Sequence, residues 1–174
     1  MKTSNDLTDV IKKAENLLSQ EKFEECLYIL DKFHEKNPDS EEIKNLLIKA
    51  LFDYGGFLND DYILEYEKAK QIFERIIKLN PQDYRAHYNL GIAYFNLGQI
   101  KDAKISFKMA LKIKPDYKYC IYNLGLVYES KEKYEEALKY YERVLEIDPN
   151  FSYALTAQSQ IRRILDQLKR MKIK

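Results

Sequence analysis

Residues 83–116 read DYRAHYNLGIAYFNLGQIKDAKISFKMALKIKPD, and residues 117–150 read YKYCIYNLGLVYESKEKYEEALKYYERVLEIDPN. Laid one over the other, they agree at the apolar and small positions. His87, Leu90, Gly91, Tyr94, Ala103, Phe107, Ala110 and Pro115 return 34 residues later as Ile121, Leu124, Gly125, Tyr128, Ala137, Tyr141, Val144 and Pro149, and Pro81 stands one period earlier. Leu90 with Tyr94, and Phe107 with Leu111, recur at four-residue steps, so each copy holds two helices with one apolar stripe apiece. Gly91, Gly125, Ala103 and Ala137 are small where a facing helix must come close. Pro115 and Pro149 end the second helix, because the ring blocks its continuation. A hairpin of this size cannot bury its own apolar faces, so neighbours must stack on it.

The spacing W-x2-L-G-x2-Y, then A-x3-F, then P resembles the tetratricopeptide repeat, with His87 and Ile121 in place of the tryptophan and Tyr141 in place of the phenylalanine. The resemblance implies an all-α fold, a right-handed α-solenoid of helical hairpins, with four repeats and a C-terminal capping helix. It also implies a binding scaffold and no catalysis. As one domain over 1–174, the chain divides into repeats at about 7–40, 41–83, 84–117 and 118–151 and a cap at about 152–172.

The first repeat is degenerate, with Ala14 at the glycine position, Leu17 at the tyrosine and Leu30 at the large aromatic. In the second, Pro38 to Pro81 spans 43 residues, so nine are extra. Counting forward places Leu47, Ile48 and Leu51 at L-G-x2-Y; counting back places Ala69, Phe73 and Ile76 on the second helix. An insertion near 54–62, between the two helices, is expected, with Gly55-Gly56 ending the first. Tyr54, Phe57, Leu58 and Tyr62 would then put apolar surface into a loop, making Phe57 and Leu58 a secondary partner contact. A neutral lengthened loop or an extra turn of helix is the plainer alternative. Asn59, Asp60 and Asp61 lack the Gly and Glu offsets of a calcium loop. Past Pro149 the apolar spacing of Tyr153, Leu155, Ala157, Ile161, Ile164, Leu165 and Leu168 continues as a single helix. Its basic tail, Lys169, Arg170, Lys172 and Lys174, suits a helix C-terminus.

The totals narrow the function. With 174 residues, 33% charged, and a formal net charge of +1, the surface is charged but balanced, against a nucleic-acid partner. No apolar run suits a signal peptide or membrane helix, so a soluble, cytoplasmic protein without membrane insertion is expected. Cys26 and Cys120 have no metal-ligand spacing, and Cys26 aligns with Ala103 and Ala137, the place of a small buried thiol in a reducing compartment. The histidines, His34 and His87, belong to no catalytic motif, and no phosphate loop or metal cluster occurs. Glu24-Glu25, Glu41-Glu42 and Glu135-Glu136 stand near helix starts as dipole partners. No enzyme, cofactor or metal is expected.

In tetratricopeptide stacks the first helix of each hairpin lines the concave groove. Carried over residue by residue, the resemblance places Lys49 and Phe52 there from the second repeat, and Arg85, Tyr88, Asn89, Ile92 and Phe95 from the third. The fourth adds Tyr119, Tyr122, Asn123 and Leu126, and the cap adds Tyr153. Asn89 and Asn123 also suit a bond to backbone. The clamp that reads acidic chaperone C-termini is absent: one register gives Ile11, Glu15, Leu46, Arg85 and Asn89, the other Asn45, Lys49, Asn89, Tyr119 and Asn123. The groove is instead apolar and tyrosine-rich, suited to a protein or peptide segment such as an amphipathic helix. Half-buried packing of several tyrosines is the plainer reading. A self-assembling structural protein, a homo-oligomer formed through its ends or the inserted loop, is the alternative function.

Overall fold

A computed structural model describes residues 2–60 and 62–172; Met1, Asp61, Ile173 and Lys174, and with them part of the acidic turn and of the basic tail, lie outside the described residues. Among the described residues there are nine helices and no strand. They are α1 (Lys2–Ser19), α2 (Phe23–Lys36), α3 (Glu41–Leu58), α4 (Tyr66–Leu79), α5 (Tyr84–Asn96), α6 (Ile100–Ile113), α7 (Lys118–Glu129), α8 (Tyr134–Ile147) and α9 (Ser152–Lys172). The chain falls into two compact units, residues 1–82 and 83–174.

In the second unit α5 packs on α6, α6 on α7, α7 on α8, and α8 on α9. Asp83 starts α5, its carboxylate accepting from the Arg85 amide at 3.0 Å. A methyl at Gly91 would lie 2.5 Å from Phe107 Cδ1, and one at Gly125 2.3 Å from Tyr141 Cε1. These positions carry hydrogen because a buried ring lies directly against the backbone. Phe107 and Tyr141 are fully buried with Ala110, Ile121, Leu124 and Val144, and α9 contributes Ala154, Ala157 and Ile161. The Cys120 thiol is buried and donates to the Phe107 carbonyl at 3.2 Å. Burial lifts its pKa to about 12, so it stays a thiol.

In the first unit α1 packs on α2, α2 on α3, and α3 on α4. Helix α1 begins at Lys2, ahead of the start expected near Leu7, because the polar stretch before it contains no helix breaker. Cys26 donates to the Ala14 carbonyl at 3.5 Å, as Cys120 does to Phe107, and an Arg75–Asp31 ion pair joins α4 to α2.

The second repeat departs from its expected register. Gly55 and Gly56 do not end α3; the helix runs through them to Leu58, and the connection is 59–65. Gly55 plays the part of Gly91 and Gly125: a methyl on it would lie 2.8 Å from Phe73 Cζ. Three residues before it, Phe52 sits 6.2 Å from Phe73, as Tyr88 sits 6.0 Å from Phe107 and Tyr122 5.5 Å from Tyr141. The closing turns agree. Lys22, Gln99 and Lys133 amides donate to the Leu17, Tyr94 and Tyr128 carbonyls, and the Glu65 amide donates to Leu58, which therefore holds the tyrosine position.

Seven of the nine extra residues thus precede Gly55 inside α3, and two fall in the loop. Leu47, Ile48 and Leu51 are not at L-G-x2-Y. They fit the pattern because seven residues are about 20° short of two full turns, so a seven-residue shift leaves the buried face almost in place. Leu58 is 3% exposed and no loop contact, whereas Phe57, on α3 with its ring 5.4 Å from Phe23, stays 40% exposed.

Candidate functional site

On the second unit, seven aromatic rings form an unbroken run. Tyr117 meets Tyr84 and Tyr88 edge-on at 5.0 Å and Tyr119 at 5.6 Å; Tyr119 meets Phe151 at 5.6 Å; Phe151 meets Tyr122 at 5.6 Å and Tyr153 at 5.7 Å. Edge-to-face contacts align ring quadrupoles and hold the rings in fixed orientations. Tyr117 and Phe151 stand 34 residues apart, each two residues past a proline, where the chain turns into α7 and α9. That recurrence is visible in the sequence, but it and Tyr84 lie outside the repeat motif.

Cations edge the run. Lys114 Nζ lies 4.5 Å above Tyr84 and donates to its hydroxyl at 3.2 Å. Lys118 Nζ lies 5.3 Å from Tyr119 and 5.4 Å from Phe151 while pairing with Asp148 at 2.6 Å. Arg85 pairs with Asp83 at 2.6 Å. Burial drives the Asp83 carboxyl up, but the hydrogen bonds and charge of Arg85 together outweigh it and hold the carboxyl below its ordinary value.

Apart from Arg85, the expected groove residues of the second unit fall into three groups. Tyr88, Ile92 and Phe95 are half-buried against the α6–α7 core, and the Tyr88 hydroxyl accepts from Asn123 at 3.2 Å. Asn89 and Asn123 donate to the Arg85 and Tyr119 carbonyls, each at 3.0 Å, one helical turn back. Tyr119, Tyr122, Leu126 and Tyr153 come together on one face, with Tyr119 45% and Tyr153 66% exposed. In the first unit Lys49 is exposed and Phe52 half-buried.

Beside Tyr122, a cleft of about 280 Å3 opens between α7 and α9, lined by Tyr122, Leu126, Glu129, Ser152, Tyr153, Thr156, Ala157 and Gln160. Glu129 Oε2 accepts from the buried Tyr141 hydroxyl, which fixes the carboxylate at the end of α7. Burial raises the pKa of Tyr122, and of Tyr117 to about 12, so both phenols stay neutral donors. Among the described residues no three of His, Cys, Asp and Glu converge as a metal site, and no helix is long and apolar enough to cross a membrane.

Family models for the tetratricopeptide repeat match residues 84–117 and 119–151, and a second such model matches 65–83. No curated protein matches the chain. Among solved structures, MamA is 22% identical, with 86% of this chain and 82% of that one covered at a TM-score of 0.67. The first tetratricopeptide domain of Spaghetti (RPAP3), bound to the HSP90 peptide SRMEEVD, is 25% identical, covering 68% of this chain and 93% of that one at 0.64. YrrB, described as having an unusual peptide-binding site, is 21% identical, covering 86% and 90% at 0.60. The chain is a tetratricopeptide repeat protein, an all-α helical-repeat solenoid by fold class.

Proposed function

We propose that this protein is a non-catalytic scaffold that binds a peptide or amphipathic helix of a partner protein. The supporting observation is the aromatic face of the second unit, where Tyr119, Tyr122, Leu126 and Tyr153 offer apolar area with hydroxyls that tolerate water. Arg85, Tyr88, Asn89, Ile92, Phe95 and Asn123 shape and orient that face. On the first unit, Lys49 and Phe52 are the corresponding contacts. Peptide binding by RPAP3 favours the class of function, but the corrected second-repeat register still lacks the acidic-tail clamp, since Phe52, Asp53 and Gly56 now occupy its positions.

Panning a random 12-residue peptide library on the purified protein tests this. Enrichment of peptides that the Tyr122→Ala/Leu126→Ala variant no longer holds, at unchanged helicity and thermal midpoint, is the expected outcome. No enrichment, or binding indifferent to the double variant, overturns it. Self-assembly remains a second reading because Tyr62, 93% exposed, and Leu64, 58% exposed, join the exposed Phe57 in putting apolar surface at the α3–α4 loop, where Leu58 is buried. Mass that grows with concentration and reverts with Tyr62→Ser/Leu64→Ser would support it.

A further inference from the structure

The α7–α9 cleft joins two tyrosine faces to one fixed carboxylate. Tyr122 and Tyr153 lie 6.1 Å apart at 52°, in contact with each other, so a group lying across the pair meets both rings. Glu129 is the one charged residue in the lining. The Tyr141 hydroxyl holds one of its oxygens and leaves the other for a ligand. Of the cations on the two helices, Lys118 pairs with Asp148 and Arg162 with Glu142, and none lines the cleft.

Two helix ends act here with opposite sign. The C-terminal end of α7 favours a cation and the first turn of α9 an anion, each worth about half a charge, so the full charge of Glu129 decides the balance. Size narrows the ligand further. At about 280 Å3 the cleft lies at the small end of ligand sites and takes a long side chain with ease. A long cationic side chain meets all three conditions: its methylenes lie against Leu126, its charged head faces the tyrosine rings, and its donors reach Glu129.

We propose that this cleft is an anchor site for a lysine or arginine side chain of the bound peptide, held over Tyr122 and Tyr153 and paired with Glu129. The inference rests on the scaffold reading and gives its partner a sign: basic, the reverse of the acidic peptide bound to RPAP3.

Isotope-labelled full-length protein titrated with N-acetyl-arginine methylamide, the norleucine analogue and the glutamate analogue tests it by NMR. Saturable shifts at the Tyr122, Glu129 and Thr156 amides are expected with the arginine compound alone. Glu129→Gln keeps an acceptor for Tyr141 and removes the charge, so it should weaken arginine binding about tenfold while leaving the thermal midpoint in place. Equal binding of norleucine, no saturable shift with arginine, or indifference to Glu129→Gln overturns the anchor. The two readings fail separately. Peptides enriched through Tyr122 and Leu126 without arginine preference keep the scaffold and lose the anchor; arginine binding without peptide enrichment does the opposite.

Discussion

In residues 83–174 the repeat keeps strict offsets: Gly91 stands 16 residues before Phe107 and 24 before Pro115, and Gly125 stands likewise to Tyr141 and Pro149. In residues 1–82, Gly55 stands 18 before Phe73 and 26 before Pro81, and Pro38 lies seven residues too far ahead of it. The contacts are nevertheless alike, a ring on a glycine and a second ring three residues back. What repeats in this fold is the contact, and spacing is only one way to deliver it. The units also differ in charge. Residues 1–82 hold 17 acidic and 12 basic side chains and residues 83–174 hold 11 and 17, so the balanced total conceals two halves of opposite sign.

The comparison breaks most readily at the glycines. Tyr141→Ala empties a fully buried site and should cost about 3–5 kcal/mol by thermal or urea unfolding. Gly125→Ala forces a methyl onto that ring, and overpacking of about 1–3 kcal/mol exceeds the gain of up to about 1 kcal/mol in helix propensity. Gly55→Ala should destabilise in the same sense, through Phe73. Gly56→Ala, with nothing within 4 Å, should stabilise by up to about 1 kcal/mol. If Gly55 behaved as Gly56 does, the corrected register would be wrong.

Those glycines mark how far the sequence could be read. In the second unit, family, hairpins and cap follow from residues that recur at one interval. In the first, the nine extra residues were countable between Pro38 and Pro81, but their position was not. A seven-residue insertion within a helix preserves the apolar face, so Leu47, Ile48 and Leu51 satisfied the pattern as well as Tyr54, Gly55 and Leu58 do. The contacts separate the two: the ring on Gly55, Phe52 beside it, and the closing bond from Glu65 to Leu58. At the candidate site, the exposed tyrosines followed from the family's geometry, whereas the Tyr117–Phe151 link and the cleft depend on how α7 and α9 approach.

A second difference lies in the caps that start α3 and α5. Ser40 accepts from the Ile43 amide at 3.4 Å, a long bond to a neutral hydroxyl, whereas Asp83 accepts from Arg85 at 3.0 Å and carries a charge. Asp83→Ala should cost about 1 kcal/mol and Ser40→Ala less. Because the folded pKa of Asp83 lies below its ordinary 3.8, its ionic contribution is complete above pH 3.8 and is lost as pH falls through the folded value. Asp83→Asn, which keeps the cap acceptor, should therefore differ from wild type at neutral pH and converge with it in acid. A gap independent of pH would remove the ion pair from the account.

The smallest effect concerns the turns between paired helices, where each hairpin needs one left-handed residue two positions before its second helix. Gly98 supplies it at φ 72° at no steric cost, while Glu21, Glu132 and Leu64 supply it at 57°, 56° and 58° against the preference of their side chains. Leu64 sits in the two-residue-longer turn and is largely exposed, so little burial is lost with its side chain. Leu64→Gly should stabilise by roughly 0.5–1 kcal/mol, relief of about 1–2 kcal/mol of left-handed strain set against the greater chain entropy of glycine. Gly98→Ala should move the second unit by a similar amount in the opposite direction. Opposite signs in the two unfolding curves would mean that the longer turn closes by the same backbone geometry as the regular ones. A loss of stability in Leu64→Gly would mean instead that the leucine side chain holds the longer turn in place.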